Sequence, residues 1–293
     1  MSKYLFQHVK DDYFSIHYAL YGTNIYMTYD WNELLNKFSP NGNGTLIIKD
    51  GSPVGGITIN NNHLSSPFLI PPFCDVKVFW QEVINYSKKD SKNGTLYFDN
   101  IPESHTDIIT SLGAEKRWAQ RQMYRPTAEY NIKPNDDFYF TVPTEIDKNE
   151  IISVVYEAHL NGYTSTVYGK PNMFDIDEAI SRRFISFSQT NTLHFGTIVK
   201  NKDTNKITAV CIAGIYPDSK NNFSTIHQVS VLPAYRKQGL AQAMIINSIN
   251  TAHGTSSVIG LGVLVGNPAE LLYQKLGFIK GPAYFNLVYI KRA

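Results

Sequence analysis

One stretch decides the fold of this chain: Val229-Ser-Val-Leu-Pro-Ala-Tyr-Arg-Lys-Gln-Gly-Leu-Ala-Gln-Ala-Met-Ile245. An alternating strand leads into a proline turn, a glycine-bearing loop and a helix with Ala241, Met244 and Ile245 on one face. Such a junction leaves N–H groups unpaired at the positive end of the helix dipole, which favours an anionic ligand such as a pyrophosphate. Gly239 would let that ligand approach the backbone closely, and Ala241 would keep the first helical turn uncrowded.

A second stretch further along reads Asn267-Pro-Ala-Glu-Leu-Leu-Tyr-Gln-Lys-Leu-Gly-Phe278. It has the residues of a short capped helix, because Asn267 suits the N-cap and Glu270 would complete a capping-box pair. Gly277 supplies the turn at the C-terminal end. Capping accounts for these residues but not for Tyr273, which therefore needs another explanation.

Together the two stretches resemble the GNAT superfamily of N-acyltransferases over about residues 138–293. Arg236-Lys-Gln-Gly-Leu-Ala241 matches the R/Q-x-x-G-x-G/A signature of that family, preceded by a V-x-V strand and a proline. The second stretch is similar to the motif in which an Asn opens a short helix and Tyr-x-x-x-Gly-Phe closes it. The resemblance implies an N-acetyltransferase that uses acetyl-CoA as co-substrate and needs no metal.

The same resemblance implies where CoA binds. Strands ending near Val231 and Val265 would splay apart, with the pantetheine arm in the gap and the pyrophosphate on the loop backbone. The implied CoA-binding residues are Val229, Ser230, Val231, Arg236, Lys237, Gln238, Gly239, Leu240, Ala241 and Asn267.

In such a protein, a primary amine of a small molecule or peptide attacks the thioester carbonyl directly, so the protein needs no nucleophile. Two groups must be supplied, an acid for the thiolate and a base for the amine. Tyr273 matches the position of the general acid in the family; the alternative is that Tyr273 only packs against CoA. Tyr163, Tyr168 and Phe174 are candidates to line the acceptor site, or are packed core residues.

The base is harder to assign. Many relatives carry a carboxylate on the strand before the loop, whereas this sequence has Ile226-His227-Gln228. His227 is the candidate base because an imidazole titrates near pH 6.5; a satisfied sheet histidine and a water chain are the alternatives. Regular strand alternation predicts that His227, Val229 and Val231 share one face.

The first half predicts a related fold without the loop. Thr45–Lys49 and Val54–Ile59 flank Asp50-Gly51, which is typical of a hairpin, and Asp75 can cap the helix that follows. At the corresponding junction Leu69-Ile-Pro-Pro-Phe-Cys-Asp75 has two prolines and no glycine, which removes two donors.

We therefore predict the fold class as α+β, with two GNAT-like acyl-CoA N-acyltransferase domains. Each would be a mixed, mainly antiparallel twisted sheet flanked by helices. The predicted domains are 1–130, a degenerate copy, and 131–293, the catalytic domain; the prolines and polar residues between Arg125 and Asp137 mark the boundary.

Composition narrows the functional classes. A formal net charge of +2 is too small to attract a nucleic acid, so that partner is not expected. The longest apolar run, Val258–Val265, is far short of the roughly 20 residues of a membrane span. Cys74 and Cys211 are isolated core thiols by this interpretation, and no metal cluster is indicated. We expect a soluble cytoplasmic protein.

Two other functions stay open at this stage. A non-catalytic acyl-CoA-binding or sensing protein is favoured by the missing carboxylate and disfavoured by Tyr273. A peptidyltransferase with an aminoacyl-tRNA donor, as in some tandem relatives, is disfavoured by the intact CoA motifs and the lack of a basic patch.

Overall fold

The structure, a computed structural model, describes residues 4–23, 31–37, 41–72, 75–89, 91, 94–131, 135–217, 219 and 221–290. By backbone contacts the chain divides into two compact units, Met1–Arg121 with Gly281–Ala293, and Gln122–Lys280. The predicted domains 1–130 and 131–293 stay a prediction, because this division does not show which segments fold on their own.

Strands and helices alternate along both units. The strands are β1 (Tyr4–His8), β2 (Gly44–Lys49), β3 (Ser52–Asn60), β4 (His63–Leu69), β5 (Leu96–Pro102), β6 (Ala114–Pro126), β7 (Phe138–Thr141), β8 (Thr197–Asn201), β9 (Ile207–Ile215), β10 (Ser224–Val231), β11 (Val258–Leu264) and β12 (Ile279–Tyr289). The helices are α1 (Asp11–Tyr21), α2 (Trp31–Lys37), α3 (Val76–Ser87), α4 (Glu103–Ser111), α5 (Lys148–Leu160), α6 (Tyr163–Tyr168), α7 (Met173–Gln189), α8 (Leu240–Ala252) and α9 (Ala269–Lys275).

In the first unit the strand order is β1-β2-β3-β4-β5-β12. Neighbours are antiparallel except β4 and β5, which are parallel. Asp50 and Gly51 have φ of 50° and 82°, as a tight hairpin turn requires, so the predicted hairpin is confirmed. The carboxylate of Asp75 accepts from the N–H groups of Lys77 and Val78 at 2.8 and 3.0 Å, which confirms the predicted cap of α3.

In the second unit the order is β6-β11-β10-β9-β8-β7, with β10 and β11 parallel and the pairs from β10 to β7 antiparallel. Apolar residues cover both faces of this sheet. Met244 and Ile245 of α8 pack on one face, and Val155 of α5 with Phe184 of α7 pack on the other. The mixed, mainly antiparallel sheets flanked by helices confirm the predicted fold class.

Two helix starts differ from the sequence prediction. The sequence predicts a helix from about Lys148 with Asp147 as its cap, but the carboxylate of Asp147 accepts from the N–H and hydroxyl of Thr144 and from Lys200 Nζ at 3.0 Å. A short 3-10 turn before α5 moves the cap to Thr144. The sequence also predicts a helix that begins at Asp177. Helix α7 begins four residues earlier, because the Asn172 side chain caps it by accepting from the N–H of Phe174 at 3.0 Å.

The predicted core thiol Cys211 is fully buried, and burial raises its pKa to about 12. Cys74 lies outside the described residues. Within the part of the chain that the structure describes, no helix is long and apolar enough to cross a membrane. Over the same residues, no group of three or more His, Cys, Asp or Glu side chains is placed to hold a metal ion.

Candidate active site

The site begins where two parallel strands stop pairing. Strands β10 and β11 pair with each other only over Ser224–Ile226 with Ile259–Leu261. Beyond that point, to Val231 and Leu264, they do not pair with each other, although β10 stays paired with β9. A β-bulge at His227 falls at the same point. Backbone N–H and C=O groups beyond the bulge therefore face a gap, where an extended ligand can bind as an added strand does.

The loop between β10 and α8 has the backbone of an anion site. Lys237 and Gly239 both have left-handed φ, of 62° and 80°. A Cβ added to Gly239 would meet nothing within 4 Å, so the glycine is required by its conformation and the space above it is open. Among the described residues, the N–H groups of 237–241 donate to no backbone carbonyl. These donors and the helix dipole together favour a bound phosphate.

Arg236 uses its side chain structurally. Its guanidinium donates to the carbonyls of Val231 at 3.2 Å, Asn161 at 2.8 Å and Ala158 at 3.0 Å. These bonds fix the C-terminal end of α5 to the end of β10. The arginine of the signature thus shapes the loop, and the anion donors are backbone groups.

The second stretch forms α9 much as predicted, with one difference at its start. Asn267 Oδ1 accepts from the N–H of Ala269 at 2.9 Å, as an N-terminal cap does. Glu270 does not complete a capping box with Asn267. Its carboxylate accepts from the N–H of Gly266 at 2.9 Å and pairs with Lys280 at 3.0 Å, which stabilises the turn that ends β11.

Tyr273 lies on the buried side of α9. Its side chain is 9% exposed, within the core that also contains Met244 and Cys211, and its ring centroid is 6.1 Å from that of Phe278. Burial, with a smaller contribution from Cys211, raises the pKa of Tyr273 to about 12. The phenol is protonated at neutral pH, as it is at the ordinary pKa of tyrosine, and the raised pKa makes it a weaker acid than an exposed tyrosine.

The bulge changes which residues share a face of β10. Gln228 pairs with Ile212, which packs under α5 and α7, whereas Val229 pairs with Cys211, which packs under α8. Because His227 is the inserted residue, it lies on the α5 and α7 side together with Gln228. The prediction that His227 shares a face with Val229 and Val231 is therefore wrong, since an inserted residue shifts the alternation by one.

The environment of His227 weakens it as a base. Burial, followed by the charges of Arg183 and Arg182 on α7, lowers its pKa to about 3. A general base acts best with a pKa near the working pH. The role of His227 as base stays a prediction, and this low pKa disfavours it.

Sequence reasoning missed His159, in the last turn of α5. Its Nε2 lies 2.9 Å from Nε2 of Gln228, whose amide also donates to Ser230 Oγ at 2.8 Å. If the amide donates both hydrogens, His159 Nε2 is an occupied acceptor and its proton is on Nδ1. Burial lowers the pKa of His159. No local pattern indicates this contact, because 69 residues separate the partners.

Two of the three predicted acceptor aromatics are exposed. Tyr168 is 48% exposed and Phe174 is 71% exposed, so neither is a packed core residue. Tyr163 differs, because its hydroxyl donates to the Val265 carbonyl at 3.2 Å. This bond holds α6 against the end of β11, beside the gap.

Comparison with known proteins agrees with the fold. Residues 114–278, more than half of the chain, match the family model of the acetyltransferase (GNAT) family. A GCN5-related N-acetyltransferase from Sphaerobacter thermophilus superimposes with a TM-score of 0.67 at 13% identity, over 99% of this chain and 96% of that one. A tandem GNAT protein from the clavulanic acid biosynthesis pathway gives 0.56 at 9% identity, over 99% and 100%. At these identities the likeness shows the fold alone.

A closer sequence match covers a short segment. The cysteine-rich protein 2-binding protein of Mus musculus is 41% identical over 69 residues, which are 24% of this chain and 9% of that protein. The chain thus matches under a tenth of the length of this relative. The sheet, the gap and the glycine loop define the class as a GCN5-related acyltransferase fold. The chain belongs to the acetyltransferase (GNAT) family.

Proposed function

We propose that the chain is an N-acetyltransferase that transfers the acetyl group of acetyl-CoA to a primary amine of a small molecule or peptide. One observation carries the proposal: the open N–H groups at the start of α8 lie at the end of the strand that borders the unpaired gap. A ligand with a diphosphate and an extended arm fits both features at once. Acetyl-CoA has both, and supplies an activated thioester.

Backbone groups would hold most of this ligand. The N–H groups of 237–241 suit the diphosphate, and the edge of β10 at 229–231 suits the amides of the pantetheine arm. The residues present fit the group because the donors are unpaired and the space at Gly239 is open. Arg236 contributes by positioning the loop.

In the transfer, the acetyl group moves from the sulfur of CoA directly to the nitrogen of the amine. The amine nitrogen forms a bond to the thioester carbon and the C–S bond breaks. Tyr273 donates its proton to the departing thiolate and regains one from water. We propose that the proton of the amine is lost to water, because the pKa of His227, about 3, is far below neutral pH.

A second function, acyl-CoA binding without catalysis, is favoured by that same low pKa at the strand position where a base is expected. Both functions require that the chain binds acetyl-CoA, and only the transferase function requires that it turns acetyl-CoA over.

The experiment combines titration calorimetry with an assay for the free thiol of CoA. We expect one equivalent of acetyl-CoA per chain and thiol release that depends on an added amine. Binding without release for any amine in a broad panel would favour the sensing function. Failure to bind acetyl-CoA at millimolar concentration would overturn both.

A further inference from the structure

Arg183, in the middle of α7, has a half-buried guanidinium with an unmet hydrogen bond. Its Nε is buried and has no hydrogen-bond partner, and its charge lies 5.2 Å from the ring centroid of Tyr216. Among the described residues no carboxylate pairs with Arg183. The adjacent Arg182 is different, because it pairs with Glu178 at 3.7 Å and is well exposed. The charge of Arg183 thus lacks a counter-ion within the described chain.

Packing of α7 places Arg183 close to the bulge. One turn further along, Phe187 packs directly over Gly214 of β9, where an added Cβ would lie 2.4 Å from the ring. Gly214 pairs with Thr225, two residues before His227. Of the two arginines, Arg183 has the larger effect on the pKa of His227, which agrees with this position.

A partly desolvated guanidinium without a partner is unfavourable, and a bound anion offsets that cost. Arginine is suited to this role because its planar fork binds a carboxylate through two parallel hydrogen bonds. The ring of Tyr216 contributes a cation–π contact to Arg183, which is not a hydrogen-bonding counter-ion. The position of Arg183 near the bulge is the strongest argument. The bulge lies at the closed end of the gap, farthest from the phosphate loop, and the acyl carbonyl would lie at that closed end.

We propose that Arg183 binds the carboxylate of the acceptor, so that the acceptor class is amino carboxylic acids and not simple amines. This inference rests on the proposed function. Arg183 is a specificity-determining residue by this view: it holds the carboxylate while the amino group of the same molecule reaches the thioester.

The test uses amine pairs that differ only in the carboxylate: L-phenylalanine with phenethylamine, L-leucine with 3-methylbutylamine, and L-lysine with cadaverine. For the full-length protein, we expect kcat/KM at least about tenfold higher for the carboxylate member of one or more pairs, about 1.4 kcal/mol. O-phosphoethanolamine with ethanolamine forms a fourth pair. A preference for the phosphate member alone would overturn the carboxylate assignment.

Variants then assign the preference to one side chain. Arg183→Met should remove it, mainly through KM, and Arg183→Lys should restore part of it because the charge returns without the fork. Arg182→Met is the matched control and should leave the preference unchanged. An unchanged preference in Arg183→Met, or no preference in any pair for the wild type, would overturn the inference.

Calorimetry with acetyl-CoA separates the two failures. If the wild type binds acetyl-CoA and acetylates amines with and without a carboxylate equally well, only the role of Arg183 is wrong. If it does not bind acetyl-CoA, the proposed function itself is wrong. A melting curve for each variant shows that it is folded, and Arg183→Lys keeps the test valid if Arg183→Met is not.

Discussion

The same succession of elements occurs in both units, and the two versions differ at one junction. In the first, β3 and β4 are antiparallel, α3 follows, and β5 returns parallel to β4. In the second, β9 and β10 are antiparallel, α8 follows, and β11 returns parallel to β10. In each unit the parallel pairing covers only three residue pairs, 63–65 with 97–99 and 224–226 with 259–261.

The junctions that precede the helices are chemically opposite. Asp75 satisfies two N–H groups at the start of α3 with its own carboxylate, and two prolines precede it. Gly239 has no side chain with which to cap α8, and the N–H groups there are open. Whether such a junction can bind an anion thus depends on whether the N–H groups at the start of its helix already have acceptors within the chain. The shared fold does not determine whether an anion binds. We infer that the first unit does not hold a diphosphate at this junction.

The largest expected loss of activity concerns the helix that follows the second strand of each parallel pair, which is α4 in the first unit and α9 in the second. Helix α9 carries Tyr273, whereas α4 contains no tyrosine. If Tyr273 protonates the thiolate, Tyr273→Phe should lower kcat by about 10² to 10⁴ with little change in acetyl-CoA affinity. Steady-state kinetics with calorimetry measures both. Tyr97→Phe in the first unit is the control, and equal losses of rate and affinity would make Tyr273 a packing residue.

The next effect concerns the loop itself. Gly239→Asp places a carboxylate against the phosphates, and the left-handed backbone conformation of residue 239 is strained for an aspartate. The affinity for acetyl-CoA should therefore fall by about 10²-fold or more. Gly254→Asp is a matched control, because Gly254 has φ of 85° and equally open surroundings just beyond the other end of α8. Calorimetric Kd values compare the two. Equal affinities for acetyl-CoA in both variants would show that the loop at Gly239 does not bind the phosphates.

A smaller effect should follow from removing the cap in the first unit. Asp75→Ala leaves two N–H groups of α3 without their acceptor and should lower the free energy of unfolding by about 1 kcal/mol. Acetyl-CoA binding should not change, since Asp75 belongs to the junction at which we infer that no diphosphate binds. Urea denaturation and calorimetry test the two statements. Asp107→Ala, at a side chain 93% exposed, is the control. A change in the number of acetyl-CoA molecules bound per chain would show that the junction at Asp75 also binds this ligand.

The smallest effect is a pH dependence that each unit should show. Burial lowers the pKa of His105 in the first unit to about 4, and that of His227 in the second to about 3. Because the unfolded histidines titrate near pH 6.5, the unfolded chain binds more protons below that pH, and stability falls as pH decreases. From pH 7 to 6 each should cost roughly 0.5 to 1 kcal/mol.

Replacing either histidine tests this slope. His105→Gln and His227→Gln should each flatten the dependence of unfolding free energy on pH between 7 and 5, measured by urea denaturation. His253→Gln, at an exposed position, should not. A slope unaffected by both variants would mean that the folded chain accommodates the protonated rings.

The parts of the fold that were predictable are encoded by neighbouring residues. The turn at Asp50-Gly51 and the cap at Asp75 depend on local geometry, and the structure agrees with both. The glycine loop was predictable for the same reason, whereas the proposed role of Tyr273 came from a family resemblance.

Other features depend on partners distant in the sequence. The bulge at His227 exists only in the pairing of β10 with β9, so a pattern that assumes regular alternation places the ring on the wrong face. The contact of His159 with Gln228 and the position of Arg183 need the packing of α5 and α7 on the sheet. The partner of β12 is also non-local, because a strand pattern does not say which edge it pairs with.

The pairing of β12 with β5 affects how the first unit folds during synthesis on the ribosome. Strand β12 pairs with β5, so the edge of the first unit is completed by residues that are translated about 180 positions later. Until they emerge, the N–H and C=O groups along one side of β5 are open to other chains. The first unit thus finishes folding last. A nascent chain that stalls after β11 would have strands β1 to β11 and would still expose the unpaired edge of β5, which is where a chaperone would be needed.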